Sequence, residues 1–210
     1  MTKQKINKIL TALDTEYGTI PCYLNYETDW QLLVATILSA QCTDDRVNLI
    51  TKDLFTKYKT LEELAAAELS ELERDIHSAG FFRNKAKNIL ACTNKLLADF
   101  GGKVPSDIDD LTSLGGVGRK TANVIRGNIY KIPSIVVDTH VKRIAYLLGI
   151  TSSKDPVKAE KELMEKIPED HWIRINTQLI AHGRKICLSG RPRCSQCVLK
   201  EFCERKPKNE

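Results

Sequence analysis

Leu111 to Ile125 reads LTSLGGVGRKTANVI, an amphipathic segment that runs into a glycine-rich turn and leaves it as a second helical pattern starting near Arg119. The reading is two helices joined by a tight hairpin. Gly116 and Gly118 let the backbone come close to a ligand. The leading N–H groups of the next helix, with Arg119 beside them, have no intrahelical partner and suit a phosphate. A plain helix–helix connection would look much the same, so the rest of the chain has to decide.

Working outward, helical periodicity dominates. Ile6, Ile9, Leu10, Leu13 and Tyr17 recur at spacings of three and four, and Gly18 follows as a stop. Thr60 with Glu63, and Ser70 with Glu73, read as capping boxes that open helices. Ala86, Ile89, Leu90, Leu96, Leu97 and Phe100 form another apolar stripe, closed by Gly101-Gly102, and Asp155-Pro156 opens a further helix. The one strand-like run, Ile132 to Val137, is short and contains Pro133. The expected fold class is all-α, with about nine or ten helices.

The chain has 210 residues, 42% of them hydrophobic, which is enough for a sizeable core. Met1 to Leu10 lacks the apolar stretch of a signal peptide, and no run approaches the ~18 apolar residues of a membrane span. A soluble, intracellular protein is expected. Net charge is +5, unevenly spread. Phe81 to Lys95 holds four basic residues and no acidic one, Arg119 to Arg143 six against one, and Arg184 to Lys208 eight against two. Positive charge concentrated over an acidic remainder is what phosphate-backbone binding uses, because neutralising phosphates releases condensed counterions.

Seven cysteines, an odd number without a secretion signal, argue against a disulfide scaffold. Cys22, Cys42 and Cys92 are scattered and are expected to be small, buried, inert thiols. Cys187, Cys194, Cys197 and Cys203 are different: C-x6-C-x2-C-x5-C packs four soft ligands into 17 residues and implies a metal. The physical rules leave zinc and iron–sulfur both open. The loop after Cys187 carries Arg191 and Arg193, placed to meet phosphates.

Val136 to Arg143, VVDTHVKR, follows the hairpin and makes the combination specific. LGGVGRKTAN from Leu114 and VDTHVKR from Val137 resemble the hairpin and the aspartate motif of the endonuclease III family, bifunctional DNA glycosylases and abasic-site lyases of the helix-hairpin-helix superfamily. Leu32 to Asn48 and Ala181 to Cys187 are similar to family segments too, so the resemblance covers essentially the whole chain. It implies a [4Fe–4S] cluster on the four cysteines, and Lys120 and Asp138 as catalytic residues. On their own, a lysine in a helix's first turn is usually solvated, and an Asp before a helix is usually an N-cap.

The resemblance also implies that Gln41, in LSAQCTD, and Phe81, in SAGFFRNKA, fill the gap left when a nucleotide is rotated out of the duplex, with Phe82 a rival for Phe81. His140 and His182 read as structural. Gly115 stands where the family commonly has proline, which is expected to loosen the hairpin; Phe81-Phe82-Arg83 replaces an aliphatic residue, tyrosine and asparagine. The implied architecture is two helical domains flanking a DNA-binding cleft: a six-helix barrel with the helix-hairpin-helix, residues 21–132, and an iron–sulfur domain made of 1–20 and 133–210. The implied activity is base-excision repair of oxidised pyrimidines of the thymine glycol class. It uses a lysine Schiff base and β-elimination 3′ to the site, in double-stranded DNA holding damaged pyrimidines or abasic sites. A monomer is expected, of bacterial or archaeal type, cytoplasmic and nucleoid-associated. The rivals are a monofunctional mismatch glycosylase on the same scaffold and a non-catalytic, metal-stabilised DNA-binding module.

Overall fold

The computed structural model describes residues 1–204; Arg205, Lys206 and Lys208 of the third basic stretch lie outside the described residues. The described residues form eleven α-helices and three short 3-10 turns, with no strand. The helices are α1 Lys3–Tyr17, α2 Asp29–Leu38, α3 Asp44–Lys57, α4 Leu61–Ala65, α5 Leu69–Asp75, α6 Phe82–Phe100, α7 Ile108–Thr112, α8 Arg119–Asn128, α9 Thr139–Leu148, α10 Pro156–Lys166 and α11 Trp172–Lys185. The count exceeds the expected nine or ten; α7 is five residues long, too short to display a period. The run 132–137 pairs with no strand. Instead Val136 N–H donates to Asn176 Oδ1 at 3.0 Å, and Asn176 Nδ2 donates to Ser134 O at 3.4 Å, so one buried side chain of α11 meets two backbone groups of the segment.

The chain divides into two compact units, Cys22–Tyr130 and Met1–Pro21 with Lys131–Glu210. Each has its own apolar core.

In the 22–130 unit, α2 is apolar on every side, and Trp30 to Leu38 are all buried, as a helix wrapped by others must be. α3, α6 and α8 pack on it. A capping box opens it, with Thr28 accepting from Gln31 N and the Gln31 side chain returning to Thr28 N–H. Thr60 and Glu63 form the expected box at α4. Ser70 and Glu73 do not: α5 starts at Leu69 after Glu68, with no side-chain cap. Starting there puts Leu69, Leu72 and Ile76 at helical spacing against the core, and burial outweighs the cap. The α6 stripe ends at Gly101 and Gly102, both at positive φ. Cys92 is buried in that stripe, and burial pushes its thiol up to about 12. Cys22 and Cys42 depart from expectation and are only half-buried, because they sit outside helices.

In the other unit, α1 presents Ile6, Ile9, Leu10 and Leu13 to Val141, Ile144, Leu148, Ile175 and Leu179. Asp14 of α1 accepts from Gln178 Nε2 at 2.8 Å and pairs with Arg174 Nε at 3.2 Å, which fixes α1 on α11. No helix among the described residues is long and apolar enough to cross a membrane.

Candidate functional site

In the 22–130 unit, Leu111, Leu114, Val117, Ala122 and Ile125 bury the inner face of the hairpin, so its outer face is Gly116, Gly118 and the first turn of α8. The three glycines of that turn differ physically. Gly116 takes φ +75, and a Cβ there would stand 2.8 Å from Asn88 Cβ. A Cβ on Gly115 would stand 2.8 Å from Asn88 O and 2.9 Å from Ala91 Cβ, both on α6. Gly115 is seated directly on the α6 backbone, which leaves no room for a Cβ at the position where proline was expected. Gly118 has an ordinary extended conformation, φ −94, and a Cβ there would meet nothing within 4 Å. Neither strain nor internal packing asks for glycine at 118.

Gly118 is also the N-cap of α8 and offers no side chain to the leading N–H groups. Arg119 and Lys120 occupy the first turn, and both side chains are exposed. The start of α8 thus combines a first turn without a side-chain cap, two exposed cations and a glycine without bulk.

Gln41 and Phe81 share an unusual feature. Both are exposed, and both hold the left-handed conformation, φ 52 and φ 59. Such a conformation costs a non-glycine residue on the order of 1–3 kcal/mol and survives only where the surroundings impose it. The two turns adjoin, since a Cβ on Gly80 would lie 3.7 Å from Gln41 O. Phe81 is 65% exposed, whereas Phe82 packs against the core and on His77, with ring centroids 4.7 Å apart. Of the two phenylalanines, Phe81 is the exposed one and Phe82 is partly buried. One residue of this region escaped the sequence reading: Lys85, buried in α6, donates from Nζ to Leu38 O at 2.8 Å.

In the other unit, Asp138 is the N-cap of α9, its carboxylate accepting from Val141 N–H at 2.7 Å. Its side chain is half-buried and held by the helix it caps. His140 covers Gly183, where no Cβ would fit, so its structural reading describes its packing. Burial lowers the His140 pKa, the Asp138 charge opposes this, and Arg143 and Arg184 lower it further.

Cys187, Cys194, Cys197 and Cys203 line one cavity walled by Ile144, Leu148, Ile186 and Leu199. No three His, Cys, Asp or Glu side chains converge on a single ion position among the described residues. Donors nevertheless aim at the sulfurs. Arg143 Nη1 donates to Cys187 Sγ at 3.2 Å, and its Nη2 to His140 Nδ1 at 3.3 Å. Tyr17 OH and His182 Nδ1 share a hydrogen bond of 2.8 Å, and His182 Nε2 lies 3.4 Å from Cys197 Sγ. Burial, with Arg143 nearby, pushes the His182 pKa down to about 4, so this ring is neutral. Burial also raises the Cys197 thiol, and Cys187 and Cys203 add to the rise, so a metal cation is the natural partner that would hold this set as thiolates. Arg191 and Arg193 are exposed on the loop between the first two cysteines. Tyr17 and Arg143 gave no local signal, because each acts across a long stretch of sequence.

Residues 34–169 match the family described as HhH-GPD superfamily base excision DNA repair protein. The chain is 46% identical over 202 residues to endonuclease III of Synechocystis sp., covering 96% of this chain and 92% of that one. It is 46% identical over 208 residues to endonuclease III of Bacillus subtilis, covering 99% and 95%. A solved structure of a trapped endonuclease III–DNA covalent intermediate superposes with a TM-score of 0.92 at 40% identity, over 98% of this chain and 97% of that one.

Proposed function

This chain belongs to the HhH-GPD superfamily of base excision DNA repair proteins, in its endonuclease III family, and on that premise we propose that it excises oxidised pyrimidines from duplex DNA and then nicks the abasic site as a lyase. The observation that carries the reading is Lys120, exposed on the uncapped first turn of α8 beside a glycine that the fold itself does not require.

In this reading the leading N–H groups of α8, approached across Gly118, take a backbone phosphate. Gly116 shapes the turn, and Arg119, Arg191 and Arg193 add contacts that ignore sequence. Gln41 and Phe81 fill the space vacated by the extruded nucleotide, the one polar toward the orphaned base and the other apolar within the stack. The Lys120 amine forms a bond to C1′ as the glycosidic bond breaks, and the departing base keeps that electron pair and takes up a proton. The amine loses a proton and the sugar ring opens to a Schiff base. A proton then leaves C2′ and the 3′ phosphate departs, which cuts the strand. Asp138, pinned by Val141 N–H, stabilises positive charge developing on the sugar. The protein works as a monomer on DNA in the cytoplasm.

The four cysteines fit a [4Fe–4S] cluster: soft ligands in an apolar-walled cavity, with the Arg143 guanidinium donating to Cys187 Sγ and the His182 ring beside Cys197 Sγ. When bound, it supplies a rigid closure of the loop that carries Arg191 and Arg193. Purified protein should be yellow-brown with about four irons per chain; colourless protein with one zinc would overturn this. A duplex with one thymine glycol tests the activity: free base plus a 3′ nick is expected. Base release without a nick would favour a monofunctional glycosylase, and neither product a binding module.

A further inference from the structure

Lys85 stands apart in this protein. It is a lysine only 4% exposed, in the first turns of α6, and the acceptor for its ammonium is the carbonyl of Leu38 rather than a carboxylate. Burial lowers its pKa, with Cys42 only partly offsetting this, so the charged form is worse off folded than in water. Packing alone would be served by a methionine. The position therefore calls for a reason beyond stability.

Its bonds supply one. Leu38 is the last residue of α2, where backbone carbonyls run out of intrahelical partners, and Ser39, Ala40 and Gln41 follow directly. The Lys85 backbone N–H donates to Phe81 O at 3.1 Å, and its ammonium reaches Leu38 O at 2.8 Å. One residue thus grips the helix end that leads into the Gln41 turn and the turn of Phe81 itself. These are the two adjoining exposed turns where a non-glycine residue is held left-handed, and such conformations need their surroundings to impose them.

We propose that Lys85 is a positioning residue for nucleotide extrusion, tying the end of α2 to the start of α6 so that Gln41 and Phe81 stay at a fixed spacing and enter the duplex together. This rests on the reading of Gln41 and Phe81 as gap fillers. Lys85 touches no substrate atom; it acts through those two.

The test compares Lys85→Met, which keeps the bulk and removes the donor, with wild type and Phe81→Ala. Single-turnover base release is measured on a duplex with a paired thymine glycol, where extrusion is required. Borohydride trapping is measured on a preformed abasic site, where no base has to be unstacked. Lys85→Met is expected to slow base release about tenfold and trapping less than about twofold, with thermal stability near wild type. Added to Phe81→Ala it should cost much less than it does alone, because its effect runs through the wedge. Equal losses on both substrates, or full additivity with Phe81→Ala, would overturn the proposal. If Phe81→Ala itself affects both substrates equally, the gap-filler reading fails instead, and the two failures are distinct. Should Lys85→Met not fold, Lys85→Gln, too short to reach Leu38 O, is measured the same way, with the same expected split.

Discussion

Two helix starts carry the candidate chemistry, and they are built in opposite ways. α8 begins at Gly118 with no side-chain cap and with Arg119 and Lys120 exposed in its first turn, whereas α9 begins at Asp138, whose own carboxylate closes the turn on Val141 N–H. The N-cap side chain satisfies one leading donor in α9, and in α8 the N-cap has no side chain to satisfy any. A start without a side-chain cap can receive an anion from outside, and its lysine is exposed. A closed start fixes the direction of a carboxylate at the cost of any external ligand. What a helix terminus does is therefore set by one residue, the N-cap.

The largest effect that sharpens this contrast comes from splitting Asp138's two roles. Asn is as good an N-cap as Asp, so Asp138→Asn should fold normally yet slow base release by about 10²–10³-fold, while trapping on preformed abasic sites persists. Asp138→Ala should add a loss of about 1 kcal/mol in unfolding free energy, because Val141 N–H loses its acceptor. If Asp138→Asn released base at the wild-type rate, the carboxylate would be a cap and nothing else.

The next effect separates the glycines of the open start. Gly118→Ala meets nothing inside the protein, so stability should stay within about 0.5 kcal/mol of wild type while duplex affinity falls on the order of tenfold. Gly115→Ala should do the reverse, costing about 1–3 kcal/mol as the new Cβ pushes on Asn88 O, with a smaller change in affinity per folded molecule. Denaturant melts and equilibrium binding on both variants decide, and identical behaviour would erase the distinction drawn between these positions.

Smallest is the contribution of the loop arginines. Arg191→Ala or Arg193→Ala should each flatten the plot of log affinity against log salt by about 0.9 if each neutralises one phosphate, with little change in sequence preference. A slope unchanged in both variants would remove that loop from the interface.

How much of this was legible in the sequence depended on range. Signals within four residues read well: the Thr60–Glu63 box, the Gly18 and Gly101 stops, Asp155 before Pro156, and the start of α8 at Arg119. Ser70–Glu73 misled because the same letters suit a cap or a helix interior, and the core contact of Leu69 settled which. Gly115 looked like a missing proline and proved to be a seat on α6, a fact held by Asn88 and Ala91, 27 and 24 residues away. The pair Phe81-Phe82 was undecidable from identity alone, and burial separated them. Lys85 did leave a trace: it lies four residues before Ile89 and seven before Cys92, on the apolar stripe of α6, where a charge is out of pattern. Tyr17 and Arg143, acting on His182 and Cys187, left none, since their partners are 165 and 44 residues away.

The central claim is that the open start of α8 presents the nucleophile. Wild type mixed with a duplex holding one abasic site and borohydride should give a covalent protein–DNA adduct, and peptide mapping should place it on Lys120. Lys120→Gln, in the same reaction, should bind the duplex with near wild-type affinity and yield neither adduct nor strand cleavage. A Lys120→Gln protein that cross-links and cuts at the wild-type rate would move the nucleophile to another residue and contradict the account.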